Sequence, residues 1–190
     1  MAESSKSSGQ ENGEPQAQKK RENYLDWEDY FMSMALLSAQ RSKDPNTQVG
    51  ACIVNKRKRV VATGYNGMPD GCHDDEMPWS RGEVTDTESK TSYLCHAEMN
   101  AVLNSNSTDT TGCKMYVSLF PCNSCAQIII QSGIKKVVYL KDDKHDKPIY
   151  MASRRLLKRA HVKIRPYRGH VSAVQVKKVK DQSTNQQPQV

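Results

Sequence analysis

Two short motifs constrain this chain more than any other feature of its sequence. The first is His96-Ala97-Glu98, and the second, twenty-three positions after that glutamate, is Pro121-Cys122-Asn123-Ser124-Cys125. His96, Cys122 and Cys125 offer one imidazole and two thiolates, all of them ligand types that Zn²⁺ prefers. Three protein ligands leave the fourth corner of a tetrahedral ion open, as in catalytic zinc sites. We therefore expect a fold that brings the two motifs together around one Zn²⁺ per chain.

Glu98 is the candidate catalytic residue beside these ligands. A carboxylate that does not bind the metal can take a proton from water and return it to a departing nitrogen. In a regular helix Glu98 would lie about 200° around the axis from His96, although both can reach a site at the mouth of the helix. A structural zinc site is the alternative interpretation, and it would require a fourth protein ligand that the sequence does not obviously supply.

The hydrophobic pattern predicts an α/β domain in which strands and helices mostly alternate. Such an order favours parallel pairing and a mixed five-stranded sheet with helices on both faces, which is a three-layer α/β/α fold. The first predicted helix begins near Asp26 and ends near Asp44. The other predicted helices cover about 96–103, 122–133 and 152–160. The predicted strands are 50–54, 60–65, 114–119, 137–140 and 162–164.

Composition divides the chain into a domain and two tails. Residues 24–167 form the predicted domain, whereas 1–23 and 168–190 have the polar bias of disordered tails. From Arg154 onward ten lysines and arginines face a single aspartate, Asp181, so the C-terminal part is strongly basic. A basic tail can bind nucleic acid or only aid solubility.

The sequence also indicates a compartment and a redox state. No apolar run approaches the roughly 20 residues of a membrane span, and residues 1–18 lack the apolar stretch of a secretory signal. We expect a cytoplasmic protein, with the nucleus as a second possibility, in which the six cysteines stay reduced. Cys72 and His73 lie together in a polar loop, where a second metal site is conceivable although the spacing is not that of a metal-ligand motif.

Further stretches resemble the deoxycytidylate deaminase family from about Tyr24 to Pro166. The turn Gly64-Tyr65-Asn66-Gly67, followed by a long insert, is the most discriminating of them. The full set of matching stretches is Tyr30-Phe31-Met32, Arg41-Ser42-Lys43-Asp44-Pro45, Gln48-Val49-Gly50-Ala51, Gly64-Tyr65-Asn66-Gly67-Met68-Pro69, Cys95-His96-Ala97-Glu98-Met99-Asn100-Ala101 and Leu119-Phe120-Pro121-Cys122. The stretch after Pro166 matches no motif of the family.

The resemblance implies a cytidine-deaminase-like fold and hydrolytic deamination of dCMP to dUMP and ammonia, which supplies thymidylate synthesis. It also implies a homohexamer that is activated by dCTP with Mg²⁺ and inhibited by dTTP. By this likeness Asn66 contacts a nucleotide sugar, Gly64 to Gly67 help to form the effector site, and Ala97 and Phe120 border the substrate. Arg41, Ser42 and Lys43, with Asn46 and Thr47, are donors suited to a phosphate.

Two other functions remain open at this point. A deaminase of tRNA or single-stranded nucleic acid would use the basic tail, but only Tyr167 supplies an aromatic residue there for stacking. A catalytically silent, nucleotide-binding subunit is the other, and the presence of Glu98 argues against it. We therefore expect a nucleotide as the partner, with nucleic acid a minor alternative and no membrane. The sequence does not indicate whether CMP or C5-modified dCMP is accepted.

Overall fold

The computed structural model describes residues 18–106 and 109–176. The predicted tails therefore lie largely outside the described residues, and their disorder stays a prediction. Within the described part of the chain, no helix is long and apolar enough to cross a membrane. Residues at the start of the predicted C-terminal tail contact the first helix, because the backbone amide of His170 donates to Asp29 at 3.2 Å.

A five-stranded mixed sheet forms the centre of the fold, as the sequence predicts. The strands lie in the order β2-β1-β3-β4-β5. β1 pairs antiparallel with both β2 and β3, while β3, β4 and β5 run parallel to one another. The strands are β1 Gly50–Val54, β2 Val60–Tyr65, β3 Lys114–Leu119, β4 Lys136–Lys141 and β5 Lys163–Pro166.

In the described residues, four helices cover the two faces of this sheet and give the predicted three layers. They are α1 Trp27–Ala39, α2 Ala97–Leu103, α3 Asn123–Gln131 and α4 Pro148–Arg159. Successive side chains along a strand point to opposite faces of the sheet, so the sheet separates two hydrophobic cores. Cys52 of β1 packs in the α1 core with Phe31, whereas its neighbour Ile53 packs on the other face with Ala101 and Ile129.

Asp26 caps α1 as predicted, and its carboxylate accepts from the backbone amides of Glu28 and Asp29. The helix ends at Ala39, five residues before the expected stop near Asp44. Asp44 instead forms its own turn, in which its Oδ1 accepts from the amides of Asn46 at 2.8 Å and Thr47 at 3.1 Å. Such side-chain bonds compete with helix continuation, so the chain leaves the helix earlier.

The other three helices begin at residues that differ from the sequence prediction. His96 and Cys122 are the N-cap residues of α2 and α3, and so they lie just outside the helices in which they were expected. α4 begins at Pro148, four residues before the predicted start at Ala152. Proline fits the first helical turn because its missing N–H has no partner there, which explains the earlier start.

The long segment between β2 and α2 carries no regular element except a 3-10 helix, Lys90–Ser92. It is held to the domain at both ends. Gly67 and Cys95 exchange backbone hydrogen bonds of 3.1 and 2.9 Å, and Lys90 pairs with Asp44 in the interior. We call residues 66–95 the β2–α2 connection.

Candidate active site

The three predicted zinc ligands meet at the starts of α2 and α3. Their ligand atoms all lie within 4.8 Å of one another. His96 Nδ1 is 3.3 Å from Cys125 Sγ and 3.4 Å from Cys122 Sγ. In the described residues no other group of three or more histidine, cysteine or acidic side chains gathers in this way, and Cys72 and His73 belong to none.

Local backbone geometry explains how the ligands converge. Cys122 is the N-cap of α3, so Cys125 follows within the first turn and both sulfurs lie at the same helix end. His96 occupies the N-cap position of α2 and has an extended backbone, with ψ at 156°. The chain is therefore not a regular helix from His96 to Glu98. The two side chains therefore reach the same site, despite the separation of about 200° that a continuous helix would impose.

The lowered pKa of Cys122 favours metal binding, whereas Cys125 and His96 would each release a proton on binding a metal. The hydrogen bond from Cys125, assisted by His96, lowers the pKa of Cys122 to about 4 despite burial. Contact with the Cys122 thiolate raises the pKa of Cys125, and it also raises the pKa of His96, to about 9. Because the thiolate is the metal-binding form, Cys122 is prepared to act as a ligand at neutral pH. The donor set, one imidazole and two sulfurs in a compact group, thus fits a Zn²⁺ ion with an open position.

Glu98 lies beside the three ligands but is not a member of the group that could hold a metal ion. Its side chain is 4% exposed, and the Cys125 thiol donates to its Oε2 at 3.4 Å. Burial raises the pKa of this carboxyl. A buried carboxyl with a raised pKa next to a metal-binding group is suited to carrying a proton.

These groups line a cavity of about 710 Å³. That volume lies within the usual range of small-molecule sites, about 300–1,000 Å³. Phe120, Leu119 and Tyr150 add apolar surface to the wall near the ligands. The cavity therefore combines apolar surface with many polar and charged lining residues.

Phe120 and Ala97 are both buried, but they differ in their relation to the cavity. Phe120 lines it, and its ring packs edge-on against Tyr139 with 4.9 Å between ring centroids. Ala97 is fully buried in the core, and it is not among the cavity residues. Its backbone oxygen would lie 2.4 Å from a Cβ at Gly64, so its place is set by packing against β2.

Asn66 lines the cavity as expected, yet most of its hydrogen-bonding capacity is used within the protein. Its Oδ1 accepts from Val49 N at 2.8 Å. Its Nδ2 donates to Thr47 O at 2.9 Å and to Asp44 Oδ2 at 3.4 Å. Asn66 therefore ties β2 to the turn before β1, and its predicted contact with a nucleotide sugar stays a prediction.

The rest of the Gly64–Gly67 turn lies outside the cavity. Gly64 allows β2 to approach α2, since a Cβ there would be 2.3 Å from Ala101 N. Arg41 lies over the ring of Tyr65, 5.9 Å from its centroid, and Gly67 pairs with Cys95. These contacts give the turn a packing role, and its predicted role in effector binding stays a prediction.

The proposed phosphate donors separate into two groups. Asn46 and Thr47 line the cavity, but Arg41 and Lys43 do not. Arg41 stacks on Tyr65, and Lys43 forms an exposed ion pair with Asp74. Of the predicted donors, Asn46 and Thr47 thus lie at the cavity, and phosphate binding by residues 41–43 stays a prediction.

Sequence reasoning missed several cavity residues that come from distant segments. Lys90 is 6% exposed, and its Nζ donates to Asp44 Oδ1 at 2.5 Å and to Asn46 Oδ1 at 2.7 Å. Arg81 comes from the β2–α2 connection, and Lys144, Lys147 and Tyr150 come from the segment around the start of α4. A polar loop next to a candidate site was the available signal for Arg81 and Lys90, whereas nothing local marked the others.

The chain matches a family model described as the cytidine and deoxycytidylate deaminase zinc-binding region over residues 25–141. The deoxycytidylate deaminase of Homo sapiens is 56% identical over 149 residues, which are 78% of this chain and 84% of that protein. The probable deoxycytidylate deaminase of Drosophila melanogaster is 52% identical over 157 residues, covering 80% of this chain and 76% of that protein.

A solved structure shows the same architecture. The crystal structure of the dCMP deaminase of cyanophage S-TIM5 in complex with dCMP and dUMP aligns with a TM-score of 0.59 and 28% sequence identity. The alignment covers 73% of this chain and 94% of the phage chain. The family match includes both motifs from which the sequence analysis began.

Proposed function

The chain belongs to the cytidine and deoxycytidylate deaminase family, and on that premise we propose that it hydrolyses dCMP to dUMP and ammonia. The relatives that cover most of its length are named deoxycytidylate deaminases. The phage protein of the same fold was solved with dCMP and dUMP. A deoxycytidine monophosphate is therefore the best supported substrate.

The observation that carries the proposal is the meeting of Glu98 with His96, Cys122 and Cys125 in one cavity. A structural zinc site would need a fourth protein ligand, and no fourth histidine, cysteine or acidic ligand joins this group in the described residues. A silent subunit has no need for a buried carboxyl at this place. The arrangement thus supports catalysis over either alternative.

We assign the chemistry to four side chains. Zn²⁺ held by His96, Cys122 and Cys125, one ion per chain, would supply the Lewis acidity that makes water nucleophilic at neutral pH. Glu98 accepts the proton that the water loses and delivers it to the amino nitrogen that leaves the pyrimidine ring. One carboxyl therefore serves first as base and then as acid.

The cavity wall assists by holding the base and excluding bulk water. Phe120 and Tyr150 are both buried and both line the cavity close to the ligand-bearing helix ends. Apolar surface at this place strengthens the electrostatic contacts of the reacting groups, because it lowers the local dielectric. A flat pyrimidine suits such a pocket.

The proposal extends to regulation and assembly. We infer activation by dCTP with Mg²⁺, inhibition by dTTP, and a homohexamer; the support for these points is the resemblance of the Gly64–Gly67 turn and its neighbours to the family. Large apolar side chains such as Leu103, Ile149 and Met151 are exposed, and exposed apolar surface favours contacts between copies. We also propose a cytoplasmic location and a domain of residues 24–167, from the composition of the chain.

Ammonia release by the purified, zinc-loaded protein tests the proposal directly. The substrates are dCMP, CMP and deoxycytidine, each with and without dCTP plus Mg²⁺. We expect turnover of dCMP, and a rise with dCTP if the regulatory part holds. Zinc at one ion per chain with no turnover of any free nucleotide would contradict the proposal and favour a polynucleotide substrate or a silent subunit.

A further inference from the structure

Arg154 lies outside the cavity but contacts one of the residues that form its wall. It belongs to α4, and it is not among the cavity residues. Its guanidinium carbon lies 4.1 Å from the centroid of the Phe120 ring, which is a cation–π distance. Phe120 lines the cavity and precedes the ligand Cys122 by two positions. Arg154 therefore supports a side chain of the wall from outside the substrate space.

The other contacts of Phe120 come from β4. Its backbone amide donates to Lys141 O at 2.8 Å, which fixes the main chain at the end of that strand. Its ring packs edge-on against Tyr139. Side chains that border a reacting group need such support, because a loosely held ring leaves the geometry of the site undefined. Arg154 adds to these strand contacts a contact from a helix.

Arg154 is itself held in place by an ion pair. Its guanidinium pairs with Asp142, the residue that follows β4, and the two side chains are 30% and 23% exposed. The second carboxylate oxygen of Asp142 is buried and has no hydrogen-bond partner among the described residues. A planar guanidinium fixed by a carboxylate loses little further freedom when it stacks on a ring. The ion pair therefore favours the contact with Phe120.

The spacing along α4 places Arg154 on the face that is turned towards the site. Tyr150, four residues earlier, is buried and lines the cavity, and residues four apart share one helix face. The next residue, Arg155, is exposed. α4 thus contributes to the wall twice, directly through Tyr150 and indirectly through Arg154.

We propose that Arg154 is a positioning residue for deamination, because it holds the Phe120 ring against which the pyrimidine lies. This inference rests on the proposed function, since it concerns the base of the same substrate. A misplacement of about 1 Å can cost on the order of 10²-fold in rate. A loosened ring should lower kcat more than it weakens binding, because the pyrimidine still enters the cavity but is less well aligned.

Three variants of the zinc-loaded protein test the proposal. Arg154→Met removes the guanidinium, whereas Arg154→Lys keeps a charge for Asp142 but lacks the flat group that stacks on the ring. Arg155→Met is the matched control, because Arg155 is an exposed arginine of the same helix outside the cavity. Each variant is compared with wild type for kcat and KM on dCMP and for its melting temperature.

We expect Arg154→Met to lose about 3- to 30-fold in kcat, with KM changed less than about threefold, since cation–π contacts contribute on this scale. Arg154→Lys should melt close to wild type because the ion pair is kept, yet it should show most of the same loss in kcat. Arg155→Met should match wild type. Full recovery of kcat by Arg154→Lys would overturn the proposal, because the ion pair alone would then be sufficient.

A double-mutant cycle tests whether Arg154 acts through Phe120. In a Phe120→Leu background, Arg154→Met should lower kcat by less than about twofold, because no ring remains to be positioned. A loss as large as the one in the wild-type background would show that Arg154 acts independently of Phe120, and this would overturn the proposal.

Fluorine NMR gives a readout that does not depend on activity. The sequence contains two phenylalanines, Phe31 and Phe120, so para-fluorophenylalanine labelling gives two signals. Phe31 packs in the α1 core on the other face of the sheet and serves as an internal reference. Both Arg154 variants should shift or broaden the Phe120 signal and leave the Phe31 signal unchanged. An unchanged Phe120 signal, or an equal change in both signals, would overturn the proposal.

The two proposals fail in different ways. If wild type releases no ammonia from dCMP, the proposed function is wrong, and the fluorine spectra still decide whether Arg154 holds the ring. If wild type turns over dCMP and both Arg154 variants keep its kcat, the positioning role is wrong and the proposed function stands.

Discussion

At the scale of single residues, the site depends on two positions that each precede a helix. His96 and Cys122 are N-caps with extended backbones, at ψ 156° and 177°, and neither uses its side chain to cap the helix. N-cap positions usually carry serine, threonine, aspartate or asparagine, whose oxygens bind the free amides of the first turn. Here the helix starts give up that stabilisation so that both side chains face the metal position.

Glu98→Gln should keep zinc and lose turnover by about 10²–10⁴-fold, because glutamine has nearly the same shape but cannot carry the proton. Metal analysis and ammonia release measure the two effects separately. Glu88→Gln, an exposed glutamate outside the cavity, is the control and should keep full activity. Activity retained by Glu98→Gln would show that another group transfers the proton.

Cys122→Ala should lose both zinc and turnover, since it removes a ligand that is a thiolate at neutral pH. Cys113→Ala provides the comparison, because Cys113 is also a buried cysteine but lies outside the ligand group. That control should keep one zinc ion per chain. Stoichiometric zinc in Cys122→Ala would mean that the ligand set is wrongly assigned.

At the scale of elements, two contacts hold the parts of the site in register. Lys90 joins the end of the β2–α2 connection to the Asp44 turn before β1, and both side chains are buried. Gly64 lets β2 lie directly against α2, the helix that directly follows the ligand His96. The cavity wall and the helix that carries Glu98 are thus fixed by packing outside the catalytic group.

Lys90→Met should destabilise the protein by about 3–5 kcal/mol, because it leaves the carboxylate of Asp44 buried without its partner. Chemical denaturation measures the loss. Lys43→Met breaks an ion pair of the same residue types at the surface, with side chains 63% and 32% exposed, and should change stability far less, because solvent screens the pair. Similar losses in the two variants would contradict the importance given to the buried pair.

Gly64→Ala should lower stability by about 1–3 kcal/mol, because the added Cβ would lie 2.3 Å from Ala101 N and push α2 away from β2. Turnover should fall as well, since α2 carries Glu98. Gly67→Ala is the control, because its added Cβ would lie 3.6 Å from the Tyr65 ring, which is an ordinary contact. Thermal melting distinguishes them, and an unchanged melting temperature for Gly64→Ala would refute the packing argument.

The elements themselves were largely predictable from the sequence, whereas their ends were not. The five strands and their mixed sheet followed from short apolar runs, and Asp26 correctly marked the start of α1. The end of α1 was wrong because Asp44 forms a competing turn, and the start of α4 was wrong because Pro148 begins the helix. These outcomes depend on individual hydrogen bonds, which periodicity does not reveal.

At the scale of the whole molecule, the metal position joins two parts of the chain on one face of the sheet. In the sequence, His96 lies 26 residues before Cys122, and β3 lies between the helices that follow these two residues. α2, α3 and α4 share the core on this face, while α1 covers the other. A metal ion held here would therefore tie α2 to α3 across the core.

Zinc removal should consequently lower the melting temperature of the entire domain, because binding to the folded state alone stabilises it. Scanning calorimetry before and after chelation measures the shift, and re-addition of Zn²⁺ should reverse it. Cys122→Ala should show no such response to the chelator. A melting temperature that is the same with and without zinc would show that the ion does not bridge the two helices.

The site was predictable from the sequence where its residues form motifs, and not where it depends on tertiary assembly. His96, Cys122 and Cys125 meet as their spacing indicated. Lys90 and Lys144 reach the cavity from segments with no shared pattern, and only the folded chain shows that they face the same space. The packing of Arg41 over the ring of Tyr65 is likewise visible only in the folded chain, and its predicted role as a phosphate donor stays a prediction.

The division of the cavity between helix starts and loops has a consequence for evolutionary divergence. The metal ligands and Glu98 lie at the starts of α2 and α3, whereas other parts of the cavity wall come from the β2–α2 connection and the β4–α4 loop. Loops accept substitutions, insertions and deletions far more readily than the elements they join. Descendants of such a chain can exchange one substrate for another by altering these loops, while inheriting the deamination chemistry unchanged.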